Sequence, residues 1–232
     1  MSKLMKSEWR DRIGHWVRTL KDDFYQPLGE IQWEAFRTNE KLSLGEAKKE
    51  QFVSVKPGFT WGNTYEYCWM KGHIQLSEEA NGKRIVMNLK PDGEATLFLN
   101  DKAFGTYRAS WVNEPHDYIV DNVLSRCAKG DEQFDIMMEV YAGHYYPEAP
   151  TGGCATGPVL PGSYTDKLEE GKRRTLGRCT YGIWNEDAYQ LFMDVDTLGR
   201  LLEVLDKTSL RAAKIAKALE QFTLIVDFEQ EQ

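Results

Sequence analysis

Arg84-Ile85-Val86-Met87-Asn88-Leu89, Pro91-Asp92-Gly93, Glu94-Ala95-Thr96-Leu97-Phe98-Leu99, Asn100-Asp101 and Ala103-Phe104-Gly105-Thr106-Tyr107-Arg108 follow one another in the stretch that decides the fold. Each run is short, mostly alternating and closed by turn residues, which is the pattern of antiparallel strands. On this reading Pro91-Asp92-Gly93 turns the first strand back into the second, and Asn100-Asp101 turns the second into the third. Farther along, Phe134, Ile136, Met138, Val140 and Ala142 fall on one face of a single run. That many apolar residues at period two must be buried against another layer, so a sheet-on-sheet sandwich is predicted.

The flanking sequence extends the pattern. Tyr65, Tyr67 and Trp69 alternate with Glu66, Cys68 and Met70, apolar on both faces, which predicts a central strand with those three aromatics in the core. Asn81-Gly82 is a hairpin-turn signal. Ile31, Trp33 and Ala35 predict a short strand, residues 38–51 a loop with a weak helical turn, and Phe52 to Val55 a strand ended by Lys56-Pro57-Gly58. Tyr118 to Val120 and Leu176 to Ile183 add two more. Before the sandwich, Met5, Trp9, Ile13, Trp16, Val17, Leu20 and Phe24 recur at helical spacing, with Pro27 and Gly29 as stops. Such a helix either packs on its own protein or lies on a membrane surface or partner. After the sandwich, Leu198, Leu201, Leu202 and Leu205 share one helical face with Asp196 as a plausible cap. Ala212, Ile215, Leu219, Phe222 and Val226 then share another beyond a break at Asp206 to Ser209. The expected organisation is an amphipathic helix over 1–30, a β-sandwich over 31–184, and a helical connector over 185–232 leading toward a following domain.

Composition excludes several classes. The chain has 232 residues, 41% hydrophobic and 28% charged, enough for a substantial core. A net charge of −7 argues against a nucleic-acid surface, which needs clustered Lys and Arg. No apolar run approaches the roughly 20 residues that span a bilayer, and residues 1–6 lack an apolar leader core. Cys68, Cys127, Cys154 and Cys179 are scattered, with no C-x-x-C pair. These features predict a cytoplasmic protein with no membrane contact. Seven Trp, eleven Tyr and ten Phe are a surplus that either fills a β core or serves sugar rings, whose C–H faces pack on aromatics.

The segments Tyr65-Glu66-Tyr67-Cys68-Trp69-Met70-Lys71-Gly72-His73-Ile74, Gly82 to Leu89, Gly93 to Asn100 with Ala103-Phe104-Gly105, Glu139 to Tyr145 and Gly152 to Pro158 also carry a family likeness. Together they resemble the N-terminal β-sandwich that precedes the catalytic barrel in glycoside hydrolase family 38 α-mannosidases. The resemblance implies a galactose-binding-domain-like jelly roll, mainly β, with an N-terminal helix and a C-terminal helical hairpin. It also implies a non-catalytic accessory domain that packs against the downstream catalytic domain of the same chain and supports homo-oligomer assembly. The parent enzyme would hydrolyse α-mannosides with zinc. The family's barrel holds that zinc through a His-x-Asp motif and other ligands and uses an aspartate nucleophile. No His-x-Asp occurs here, so no catalytic or metal residue carries over, and this chain alone is expected to be inactive.

A search for other chemistry returns one recognition stretch. No G-x-S-x-G elbow is present. Gly152 to Gly157 has phosphate-loop glycine spacing, but Pro158 and Val159 stand where Lys and Ser or Thr would be needed. His15, His73, His116 and His144 are isolated in sequence, and no carboxylate pair stands out among 36 Asp and Glu. Gly143-His144-Tyr145-Tyr146 opens a long Gly- and Pro-rich loop at a strand end, where sandwiches present binding residues. Trp111, His144, Tyr145 and Tyr146 are therefore the candidates, either for an interdomain interface or for mannose-containing glycans. The second use would make the chain a carbohydrate-binding module acting through loop aromatics.

Overall fold

The computed structural model of the chain describes residues 7–63, 65–107, 122–143 and 173–225. In chain order the elements are α1 (Ser7–Asp22), β1 (Tyr25–Glu30), β2 (Trp33–Thr38), the single turn α2 (Leu44–Ala47), β3 (Val53–Val55), β4 (Thr60–Trp61) and β5 (Tyr67–Gln75). A 3₁₀ turn (Glu78–Ala80) precedes β6 (Ile85–Asn88), β7 (Glu94–Leu99), β8 (Lys102–Tyr107), β9 (Val123–Ser125) and β10 (Gln133–Tyr141). Then come β11 (Arg174–Thr175), β12 (Thr180–Trp184), α3 (Glu186–Val204) and α4 (Leu210–Ile225). The described strands form a six-stranded sheet in the order β3-β2-β5-β10-β7-β8, a four-stranded sheet in the order β1-β12-β6-β9, and the pair β11-β4. The chain divides into two compact units, Pro27–Ile183 and Met1–Gln26 with Trp184–Gln232.

The alternation along β10 decides the first unit. Phe134, Ile136, Met138, Val140 and Ala142 are all buried in one core with Met70, Ile74 and Leu97 of the same sheet and Ile85 and Met87 of the other. A two-sheet sandwich closed by interdigitating apolar faces follows. At its centre Gly72 pairs with Trp33 on the neighbouring strand. A Cβ on Gly72 would lie 3.0 Å from the Trp33 ring and 2.8 Å from Ile31 Cγ2, so the glycine makes room for the indole. As expected, β5 is central, but its core face is Cys68, Met70 and Ile74. Trp69 is buried on the opposite face with Ala47 and Met137, and Tyr65 and Tyr67 are only half-buried. With both faces apolar, alternation by itself does not tell which set looks inward.

Two expected hairpins are crossings between sheets. Strand β6 pairs with β12 and β9, whereas β7 pairs with β10 and β8. Pro91-Asp92-Gly93 therefore moves the chain from the four-stranded to the six-stranded sheet, with Asp92 at φ 57°. Asn81-Gly82 does the reverse, from β5 to β6. Asn81 sits at φ −59°, ψ 126°, Gly82 at φ 72°, and Lys83 N donates to Ala80 O at 2.9 Å. That is a type II turn, whereas the hairpin form needs positive φ at both central residues. Asn100 and Asp101 do satisfy that need, at φ 49° and 67°. They close the β7–β8 hairpin with Leu99 opposite Lys102.

In the helical unit α1 packs on α3 and α4. Trp16 and Leu20 are buried, and Trp16 meets Phe222 edge-on at 4.0 Å between ring centroids. The first helix ends at Asp22, not at residue 30, and Tyr25–Glu30 is a strand. Pro27 is tolerated there because β1 is the edge of its sheet. Helix α3 starts ten residues before the expected cap. Asn185 Oδ1 accepts from Ala188 N at 3.1 Å, while Asp196 lies mid-helix and pairs with Arg200 at 2.7 Å. Ser209 Oγ caps α4 by accepting from Ala212 N at 3.1 Å, as its position after the break predicts.

Candidate functional site

Trp111, His144, Tyr145 and Tyr146 all lie outside the described residues. The strand end from which the last three depart is described, and it is tightly held. Ala142 N donates to Glu66 O at 3.0 Å, and Tyr65 N donates to Gly143 O at 3.1 Å. Arg174 donates to Ala142 O through Nε at 3.1 Å and Nη2 at 2.8 Å. Asp92 ties the same corner, with Oδ2 accepting from Thr175 N at 2.7 Å. Beneath it the buried Glu66 accepts from Gly62 N at 2.7 Å and Asn63 N at 3.0 Å. Burial, and after it the Glu66 charge, pushes the neighbouring Cys68 thiol up to about 12. That thiol stays protonated at neutral pH and is no nucleophile.

The outward face of the six-stranded sheet carries the remaining chemistry. Its middle is apolar: Trp69 and Met137 lie under Leu42, Leu44, Ala47 and Phe52 of the excursion between β2 and β3. That cover is pinned by a capping box, in which Ser43 N donates to Glu46 Oε2 at 2.8 Å and Glu46 N donates to Ser43 Oγ at 3.4 Å. A cleft opens at each side of it.

The larger cleft is about 450 Å³, with Glu34, Phe52, Lys71, His73 and Asp135 among its lining residues. Its charges are already matched. Lys71 Nζ stands 2.7 Å from Glu34 Oε2 and 4.6 Å from the Phe52 ring centroid. His73 Nδ1 stands 2.7 Å from Asp135 Oδ1, and Lys48 pairs with Asp101. Exposed pairs of this kind contribute little each. The second cleft, about 360 Å³, is lined by Lys41, Tyr67, Glu94, Thr96, Thr106, Glu139 and Tyr141, together with Ala95 and Tyr107. The register sets Glu139 opposite Thr96 and Thr96 opposite Thr106. One row across three strands is thus a carboxyl and two hydroxyls. In the next row Tyr67 and Tyr141 are cross-strand partners, with ring centroids 5.0 Å apart and planes at 33°. Glu139 is half-buried, and its Oε1 is sealed from water with no hydrogen-bond donor among the described residues. Burial holds its carboxyl above the usual range, with Lys41 opposing. The outward alternation of β10 placed Glu139 and Tyr141 on one face in the sequence. Their union with Thr106 needed the register, which the sequence does not give.

Among the described residues no three His, Cys, Asp or Glu side chains converge in a way that could hold a metal ion. Among the described residues the His73–Asp135 pair has no third ligand to make a zinc set. No helix of the described residues is long and apolar enough to cross a membrane.

A search of curated proteins finds no match. Among solved structures, the β-glucuronidase from Ruminococcus gnavus in complex with D-glucuronic acid aligns at 14% identity over 68% of this chain, with a TM-score of 0.43. The same enzyme in complex with uronic deoxynojirimycin aligns at 14% identity over 69% of this chain, with a TM-score of 0.42. This chain spans 29% of the length of either structure. A family model described as alpha-mannosidase, jelly roll domain, matches residues 27–153, inside the sandwich unit and more than half of the chain. With β strands in two facing sheets and helices at both ends of the sequence, the chain belongs to the alpha-mannosidase jelly roll domain family.

Proposed function

We propose that this chain is the non-catalytic accessory region of a glycosidase that hydrolyses α-mannosides. In this role the sandwich packs against the catalytic barrel of the same polypeptide and supports oligomer contacts. The observation that carries the reading is the family match over residues 27–153. Zinc, implied for the parent enzyme by the resemblance, finds no fitting donor set among the described residues, so no chemical step is assigned to them. The free thiols of Cys68, Cys127 and Cys179 fit a reducing compartment, and we place the protein in the cytoplasm. The test is hydrolysis of an aryl α-mannoside, with and without zinc, by the 232-residue chain and by the natural gene product that carries it. The expected outcome is no turnover by the chain and zinc-dependent turnover by the gene product. Turnover by the chain itself would overturn the non-catalytic role, and inactivity of the gene product would overturn the mannosidase context.

A second reading, a carbohydrate-binding module, is favoured by one specific observation, the tyrosine- and hydroxyl-lined cleft on the outer face of the six-stranded sheet.

A further inference from the structure

That cleft has a definite ligand chemistry. Its floor is a platform of four strands, β5, β10, β7 and β8, whose facing residues are set by register. One side is the Tyr67–Tyr141 step, two rings in tilted contact beside which a sugar ring can pack. The other side is the Glu139–Thr96–Thr106 row, which supplies hydroxyl donors and acceptors at the strand spacing of about 4.8 Å. The volume, about 360 Å³, is at the small end of ligand sites, suited to one or two rings.

Glu139 selects the ligand further. Its Oε1 is shut away from water and unpartnered among the described residues, so the carboxyl is under-solvated where it stands. A hydroxyl donor arriving at the cleft-facing oxygen restores part of what burial removed. The charges point the same way: Glu94 and Glu139 face one cation, Lys41. This excess of negative charge repels uronates and sugar phosphates and leaves neutral hydroxyls as the natural partners.

We infer that the cleft between Tyr67, Tyr141, Glu139 and Thr106 is a binding site for a neutral pyranoside, held by ring stacking and by hydroxyl contacts to Glu139 and the threonine row. This deepens the carbohydrate-binding reading and moves it from loop aromatics to the sheet face. It is independent of the mannosidase assay, so either can fail alone.

The experiment is saturation-transfer NMR and tryptophan emission on the 232-residue chain, titrated with methyl α-D-mannopyranoside and, separately, with methyl β-D-glucuronide, whose carboxylate is free. Trp69 lies opposite Glu139 in the register and serves as the internal reporter. Saturable binding of the neutral glycoside in the millimolar range is expected, with no saturation by the uronate. Two variants test the location. Glu139→Gln removes the charge and keeps the shape. Thr106→Trp fills the cleft from an exposed, strand-compatible position, so the core is untouched. Each should weaken binding by about tenfold or more while the thermal transition shows a folded protein. A triple variant of the loop, His144→Ala with Tyr145→Ala and Tyr146→Ala, should leave binding unchanged. The inference falls if no neutral glycoside saturates, if the uronate binds as well, or if the loop triple abolishes binding while the folded sheet variants do not.

Discussion

Replacing Glu66 by Ala should unlock the corner that holds the end of β10. Glu66 is 5% exposed, and its Oε2 takes N–H groups from Gly62 at 2.7 Å and Asn63 at 3.0 Å. Hydrogen bonds to a charged acceptor contribute about 1.5–3 kcal/mol each. Truncation leaves the buried Gly62 N–H without an acceptor, a loss of about 2–3 kcal/mol. Asn63 is half-exposed and recovers water, so its loss is nearer 1 kcal/mol. Arg37, 3.9 Å from Oε1 with its side chain 45% exposed, adds only a few tenths of a kcal/mol. The sum is about 3–4 kcal/mol, which for a chain of this size lowers Tm by about 6–16 °C. Glu66→Gln keeps an acceptor of the same shape and loses only the charge, so about 1–2 kcal/mol is expected. The assay is urea unfolding followed by tryptophan emission, read as a shift in midpoint at unchanged slope. An independent readout is Cys68. The Glu66 charge helps to raise its thiol, so either variant should make it easier to ionise and faster to alkylate at alkaline pH. If the Ala variant lies within about 1 kcal/mol of the parent, or if Ala and Gln are equal, the two N–H bonds are not what holds the corner.

Gly72→Ala should cost about 1–3 kcal/mol, because the added methyl meets Ile31 Cγ2 at 2.8 Å and the Trp33 ring at 3.0 Å; an unchanged urea midpoint would mean that the indole can move aside. Alkylation of the native protein at neutral pH should mark the exposed Cys127 and spare the buried Cys68 and Cys179 until urea is added; peptide mass mapping checks this, and equal labelling of all three contradicts it. Burial keeps the Glu139 carboxyl above its ordinary 4.5. Between 4.5 and that raised value the folded state holds more protons than the unfolded chain, so the contribution of Glu139 to stability falls as pH rises through the window. Glu139→Gln should therefore melt higher than the parent near pH 8 and level with it near pH 3.5; a variant that melts lower at about pH 8 would show that the carboxylate is stabilised in the fold.

How much of this was legible in the sequence depends on which physical signal each feature leaves. The β10 face could be read because five apolar residues at period two have no other stable use. The Asn100-Asp101 hairpin could be read because both residues tolerate positive φ. The two sheet crossings could not. Pro91-Asp92-Gly93 and Asn81-Gly82 report that the backbone bends, and nothing local says which sheet receives the next strand. The N-terminal strand was hidden by Pro27 and Gly29, which read as stops; at a sheet edge one missing N–H costs no ladder bond. The start of α3 was hidden because Tyr189 and Phe192 fall in a segment that follows a strand without a proline or glycine between them. The polar cleft left the weakest trace. Glu139 and Tyr141 are ordinary outward residues of a strand until the register brings Thr96, Thr106 and Tyr67 beside them.

The placement of Glu139 also bears on what the outer face is for. The central strands are apolar on both sides, so the outer face needs a cover, and the excursion between β2 and β3 supplies one over Trp69 and Met137. Glu139 lies outside that apolar cluster, in a cleft that Lys41 of the same excursion also lines. A residue at that point has two stable choices: an apolar or β-branched side chain that continues the buried patch, or a polar one that reaches open water. Glu139 does neither, because one oxygen is sealed without a donor among the described residues and its charge is disfavoured by burial. Thr or Val would fit the strand at less cost, so fold stability alone gives no reason for a carboxyl there. Local choices that work against the fold tend to sit where the molecule binds something. In this sheet that choice stands between an aromatic step and a row of hydroxyls, which is the arrangement a neutral sugar ring would complete.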